Sequence, residues 1–121
     1  RIVRLGVSGG FHSPLMSSAS EELSNALFKV ELSRPNLPLI SNVNASPVNE
    51  PNKIIELLIK QMTERVRWRE SINYLTENGI DEVIEIGSGK VLSGLSKRIN
   101  PELKVGSIET PEDIDAFLAS H

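Results

Sequence analysis

The sequence predicts an α/β fold with a largely parallel sheet, on three observations. Short β-branched runs alternate with longer stretches of helical periodicity, glycine- or proline-containing turns mark each change, and no repeat or low-complexity segment interrupts the pattern. The first strand is read over Ile2-Val3-Arg4-Leu5-Gly6-Val7, ended by Ser8-Gly9-Gly10. Ser13 as N-cap and Pro14 at the first helical position then open a helix running to about Lys29. Its Leu15, Ala19, Leu23, Ala26, Leu27 and Val30 recur at helical spacing and are expected to be buried.

Pro35 and Pro38 forbid helix and lead into a second strand, Leu39-Ile40-Ser41-Asn42-Val43. Residues 44–51 are rich in turn formers and read as a loop. A helix from near Asn52 carries Ile54, Ile55, Leu57, Leu58, Ile59 and Met62. After an extended link, Arg65-Val66-Arg67, another helix spans about Arg69 to Glu77, closed by Asn78-Gly79. Val83-Ile84-Glu85-Ile86 is the next strand. Gly87-Ser88-Gly89 turns it into a helix with Val91, Leu92, Leu95 and Ile99, which Pro101 ends. Val105 to Ile108 is the last strand, and Thr110-Pro111-Glu112-Asp113 caps a terminal helix bearing Ile114, Phe117 and Leu118.

Composition narrows the function. With 121 residues, 39% apolar and 24% charged, the chain is long enough for a domain with its own core and is unlike a disordered segment. A net charge of -3 with mixed signs argues against a nucleic-acid binder, which would carry a clustered basic excess. There is no cysteine, which excludes disulfides, thiol catalysis and cysteine-ligated metal. With two histidines, one of them the last residue, His121, no metal site is expected. No run approaches the roughly 20 apolar residues that span a bilayer, and no signal-peptide pattern opens the chain, so no membrane association and a cytoplasmic location are expected. The chain starts without Met, inside a strand pattern, and so reads as a fragment.

His12 is the first candidate for chemistry. It sits in a glycine-rich turn between a strand and a helix start, where open α/β sheets place ligands. The ordinary explanation, an exposed loop histidine, stays open on position alone. Gly87-Ser88-Gly89-Lys90 suggests phosphate binding but fails the P-loop pattern, because Ile84 and Val91 stand where Gly and Ser or Thr are needed. A tight strand-to-helix crossover explains it.

Four blocks in order then resemble one family. Gly10-Phe11-His12-Ser13-Pro14-Leu15-Met16 resembles the motif around the catalytic histidine of malonyl-CoA:acyl carrier protein transacylases. Gln61-Met62 with Val66-Arg67-Trp68 resembles a "Q…VRW" segment of that family, and residues 85–95 resemble its "E-I/V-G-P-G-K-V-L-x-G-L" block. Ser41-Asn42-Val43-Asn44 fits more weakly. The departures, Arg65 and Ser88 where the family often has Pro, concern turn stiffness.

The resemblance implies the C-terminal part of a hydrolase-like α/β acyltransferase domain, with residues 1–8 as the last strand of a small ferredoxin-like subdomain and residues 9–121 in the large one. It implies transfer of malonyl from malonyl-CoA to the phosphopantetheine thiol of acyl carrier protein in fatty-acid biosynthesis, without a cofactor. A serine in a G-H-S-x-G elbow would be the nucleophile, and this sequence contains no G-H-S-x-G. His12 would be the general base and acid, and the backbone carbonyl of Gln61 would hold its other ring nitrogen. Phe11 would favour malonyl, since in related polyketide acyltransferases Phe before the histidine accompanies malonyl and Ser accompanies methylmalonyl. Acidic carrier proteins would be steered by basic residues such as Lys60, Arg65, Arg67, Arg69, Lys90, Lys97 and Arg98. Two other readings stay open: an acyltransferase domain of a polyketide or fatty-acid synthase, and a non-catalytic carrier-protein binding module.

Overall fold

The computed structural model describes residues 6 and 9–120, and the chain divides between Arg67 and Trp68 into two compact units. The expected first strand, the subdomain boundary near residue 8, and His121 lie outside the described residues.

In the first unit, Pro14–Met16 form a single 3-10 turn that leads into α1, Ser17–Leu27. Ser13 is extended at the N-cap, as expected, but its hydroxyl bonds the Gly10 carbonyl instead of capping the helix. The helix also stops two residues short of Lys29, where the amides of Lys29 and Val30 take the carbonyls of Ala26 and Leu27 in tight turns. The expected buried face is only half realised. Ala19, Leu23 and Leu27 are half-buried, while Leu15 is 82% exposed.

The second expected strand shortens to β1, Leu39–Ile40, because residues 41–46 fold back in a turn. Ser41 and Ala45 are buried there, with Ala45 N–H on the Ser41 carbonyl at 2.8 Å and Ser41 N–H on the Ser46 carbonyl at 3.1 Å. The turn returns the chain as β2, Pro47–Val48, antiparallel to β1, inside the stretch that reads as loop. Pro47, which cannot donate to a ladder, suits so short a strand. Pro51 then presets the first turn of α2, Pro51–Gln61. Ile54, Ile55 and Leu57 are buried in this unit, worth roughly 1.5–3 kcal/mol each by apolar burial. α1 packs on α2, and the Ser20 hydroxyl donates to the Ile59 carbonyl.

The second unit follows the sequence closely. α3, Trp68–Glu77, ends at Gly79, which has φ +86. Gly79 N–H bonds the Thr76 carbonyl and Ile80 N–H the Leu75 carbonyl, the two bonds of a Schellman stop. β3, Glu82–Ile86, crosses through α4, Val91–Ile99, to β4, Lys104–Ile108, which pairs with it in parallel, Glu82 opposite Lys104 and Ile86 opposite Ile108. The parallel pairing expected of the sheet is thus found in this pair, whereas β1 and β2 are antiparallel. Ile72 and Leu103, 2% and 1% exposed, anchor the core beside buried Ser71 and Ser96.

Both later helices are capped by carboxylates. Glu85, on β3, accepts the N–H groups of Leu92 and Ser93 at 3.2 and 2.7 Å, satisfying donors at the start of α4 that have no intrahelical partner. At α5, Pro111–Ser120, Asp113 accepts from the amides of Glu109 and Thr110 while its own N–H bonds the Thr110 hydroxyl, a capping box with Asp in the usual Glu position. Hydrogen bonds to the charged form hold both carboxyls below their ordinary range. For Glu85 the Ser93 side chain and amide lead, and for Asp113 the Glu109 amide leads.

Candidate functional site

The glycines before His12 lie close to neighbouring side chains. A Cβ on Gly10 would stand 2.7 Å from the Leu15 side chain, and one on Gly9 would stand 3.1 Å from the Phe11 ring. His12 itself has φ +57, the left-handed region that non-glycine residues occupy sparsely and that recurs where surroundings fix a functional side chain.

Those surroundings are the end of α2. His12 Nδ1 lies 2.7 Å from the backbone oxygen of Gln61. A carbonyl only accepts, so Nδ1 carries the hydrogen, and in the neutral ring Nε2 is left with the free lone pair. Gln61 is the last residue of α2, and the last carbonyls of a helix have no intrahelical donor. The histidine takes up an acceptor that the helix end leaves open. The arrangement can do one thing chemically: orient a neutral imidazole with Nε2 ready to accept a proton, and stabilise the imidazolium once it forms.

The structure brings together His12 and Gln61, which are 49 residues apart in sequence, with Phe11 next to His12 on an exposed loop. Phe11 is 60% exposed and lies against Gly9. Sequence reasoning gave no role to Asn42. Its side-chain amide donates to the Gln61 side-chain oxygen at 3.2 Å, and its backbone carbonyl accepts the Arg67 amide at 2.8 Å. The Arg67 guanidinium in turn donates to the Asn44 carbonyl. The only signal for this was that the blocks around residues 42, 61 and 67 resembled the same family.

Elsewhere, the Gly87–Lys90 turn is engaged within this chain: Gly87 N–H bonds the Ile108 carbonyl at 3.0 Å, Gly89 N–H bonds the Glu109 carboxylate at 3.1 Å, and Lys90 pairs with the same carboxylate at 3.5 Å. A cleft of about 210 Å³ in the second unit is lined by Trp68, Ile72, Ile84, Glu85 and Leu92 among others, and the Trp68 indole N–H is buried without a hydrogen-bond partner among the described residues. Among the described residues, no group of three or more His, Cys, Asp or Glu could hold a metal ion, and no helix is long and apolar enough to cross a membrane.

No family model matches the chain. Individual relatives do. A malonyl CoA-acyl carrier protein transacylase of Bacillus subtilis (strain 168) is 45% identical over 115 residues, which is 95% of this chain and 36% of the relative. The protein of that name from Staphylococcus aureus (strain COL) is 40% identical over 97% of this chain and 38% of its own length. The acyl-carrier-protein S-malonyltransferase of Bartonella henselae superposes with a TM-score of 0.88 at 46% identity, over 96% of this chain and 37% of that structure. A malonyl-transacylase solved in complex with a type II PKS acyl-carrier protein gives a TM-score of 0.86 at 32% identity, over 97% of this chain and 38% of that one. The chain therefore spans little more than a third of the relatives it matches. Over that third, in sequence and in fold, the chain matches a C-terminal portion of the malonyl CoA-acyl carrier protein transacylases.

Proposed function

We propose that this chain is the histidine-bearing part of an enzyme that transfers malonyl from malonyl-CoA to the phosphopantetheine thiol of acyl carrier protein, with the nucleophilic serine elsewhere in the polypeptide. The observation that carries the reading is the 2.7 Å bond from His12 Nδ1 to the Gln61 carbonyl, which leaves Nε2 as the basic nitrogen. The names of the relatives supply the substrates.

In this mechanism the serine Oγ bonds to the thioester carbonyl carbon while its proton passes to Nε2 of His12. The Gln61 carbonyl stabilises the imidazolium, a task often given to a carboxylate. The carbon–sulfur bond then breaks, and Nε2 returns the proton to the CoA sulfur. In the second half, the carrier-protein thiol gives its proton to Nε2 and attacks the serine ester. The carbon–oxygen bond breaks and the proton goes back to Oγ, leaving malonyl on the carrier. Phe11 is exposed beside His12, and in this reading its ring faces the acyl group and excludes an α-methyl substituent. The cytoplasm and fatty-acid biosynthesis fit this reading, and a polyketide carrier protein is the other acceptor to assay, since one structural neighbour was solved with one.

The test is malonyl transfer to holo acyl carrier protein by the full-length protein, wild type against His12→Ala. The reading expects transfer that depends on His12. Carrier-protein binding with no malonyl transfer would favour the binding-module reading.

A further inference from the structure

We propose that Asn42 is a positioning residue for His12, acting through the Gln61 side chain to hold the helix end whose carbonyl sets the imidazole tautomer. This inference rests on the role proposed for His12 above. Asn42 does not touch the ring. Its amide donates to Gln61 Oε1 at 3.2 Å, while the main-chain oxygen of the same Gln61 takes His12 Nδ1 at 2.7 Å.

A terminal helix residue needs such an anchor. Gln61 closes α2, and the following amides of Met62, Thr63 and Glu64 bond back to Ile59 and Lys60, so the chain tightens around it. Helix ends fray because their last carbonyls lack intrahelical donors, and a drifting Gln61 would carry the histidine's acceptor with it. Asn42, by contrast, stands in a turn closed by several bonds. The bonds between Ser41 and Ala45 and between Ser41 and Ser46 close that turn, Ala45 is buried at φ +53, and the Ser41 hydroxyl accepts the Val43 amide. The Arg67 amide on the Asn42 carbonyl ties down its other end. A rigid hairpin turn thus grips a helix terminus by one side-chain bond, and the terminus orients the histidine.

The experiment reads the tautomer directly. In full-length protein with ¹⁵N-labelled histidine, the His12 signals are assigned by their loss in His12→Gln. The ratio of Nδ1–H to Nε2–H forms is then measured at a pH where the ring is neutral. Asn42→Ala should lower that ratio about threefold, within what one neutral hydrogen bond is worth. Gln61→Met removes the same bond from the other side and keeps the backbone carbonyl, so it should lower the ratio equally, and the double variant should add nothing. Asn42→Asp should retain the wild-type ratio, because a carboxylate accepts from the Gln61 amide once that amide is turned. If Asn42→Ala does not fold, Gln61→Met carries the test. An unchanged ratio in folded Gln61→Met, losses that add in the double variant, or an Asn42→Asp ratio as low as that of Asn42→Ala would each overturn the proposal. No acyl substrate enters the measurement, so its result is independent of whether the protein transfers malonyl.

Discussion

The two units of this chain are held together by different means. In the second, nearly every element end is closed by a partner close in sequence: a Schellman stop on α3, Glu85 on the start of α4, and Thr110 with Asp113 on α5. In the first, among the described residues, the strands are two residues long, two non-glycine residues hold positive φ, and the decisive bonds join residues 19 and 49 positions apart. Regular elements with local caps make a scaffold. An irregular turn and a helix end, joined by long-range side-chain bonds, make a place where one imidazole has a fixed orientation. The difference teaches where substitutions should cost function and where they should cost stability.

The largest expected effect is on function. His12→Ala should lower acyl transfer by the full-length protein about 10²–10⁴-fold, the range a general base contributes, with little change in its unfolding midpoint. The reverse pattern is expected in the second unit. Ile72→Ala, at a site 2% exposed, should cost about 2–5 kcal/mol in urea unfolding through lost burial and the cavity left behind. A loss of stability at His12 equal to that at Ile72 would erase the distinction. Gln61→Ala sharpens it, because the acceptor is main chain. Transfer should fall far less than in His12→Ala, and equal large losses in steady-state assays would contradict the assignment.

A smaller effect is expected from Glu85→Gln. The folded-state carboxyl is held below its ordinary range by the Ser93 side chain and by backbone amides at the start of α4. A group with a depressed folded pKa contributes stability above its unfolded pKa, and that stability is lost as pH falls through the folded value. Acid unfolding of the wild type should therefore steepen below the usual carboxylate range, and Glu85→Gln should flatten that slope and reduce stability at neutral pH. The smallest effect belongs to Glu56, exposed on α2 between Lys53 and Lys60 at 2.8 and 2.9 Å, whose pKa is lowered to about 2. Solvent and salt screen such pairs, so Glu56→Gln should leave the unfolding midpoint almost unmoved at physiological ionic strength.

How much of this the sequence carries follows the same division. Val83 to Ile86, Val91 to Ile99 and Thr110 to Asp113 announce strand, helix and cap within a few residues of themselves, and the structure has those elements there, within a residue or so. Residues 39–48 carry a weaker local signal: the strand expected over residues 39–43 survives only at Leu39–Ile40, and β2 falls in the stretch that reads as loop. A two-residue strand is too short for alternation to show, and Ala45 at φ +53 is held by tertiary contacts, not by its own preference. At the candidate site, the likeness around Phe11 and His12 pointed to the histidine. The Gln61 contact could come only from that likeness, because a backbone carbonyl has no side-chain signature. Asn42 stayed hidden for a related reason: its bond to Gln61 exists only once β1, its turn and α2 are folded.

The central claim is that His12 serves a nucleophile carried by the same polypeptide, and one measurement reaches it most directly. The intact mass of the full-length protein is recorded before and after exposure to malonyl-CoA, for the wild type and for His12→Ala. The account predicts that the wild type gains one malonyl group and that His12→Ala gains it far more slowly. A wild-type protein that gains nothing, or a variant that loads at the wild-type rate, would contradict it.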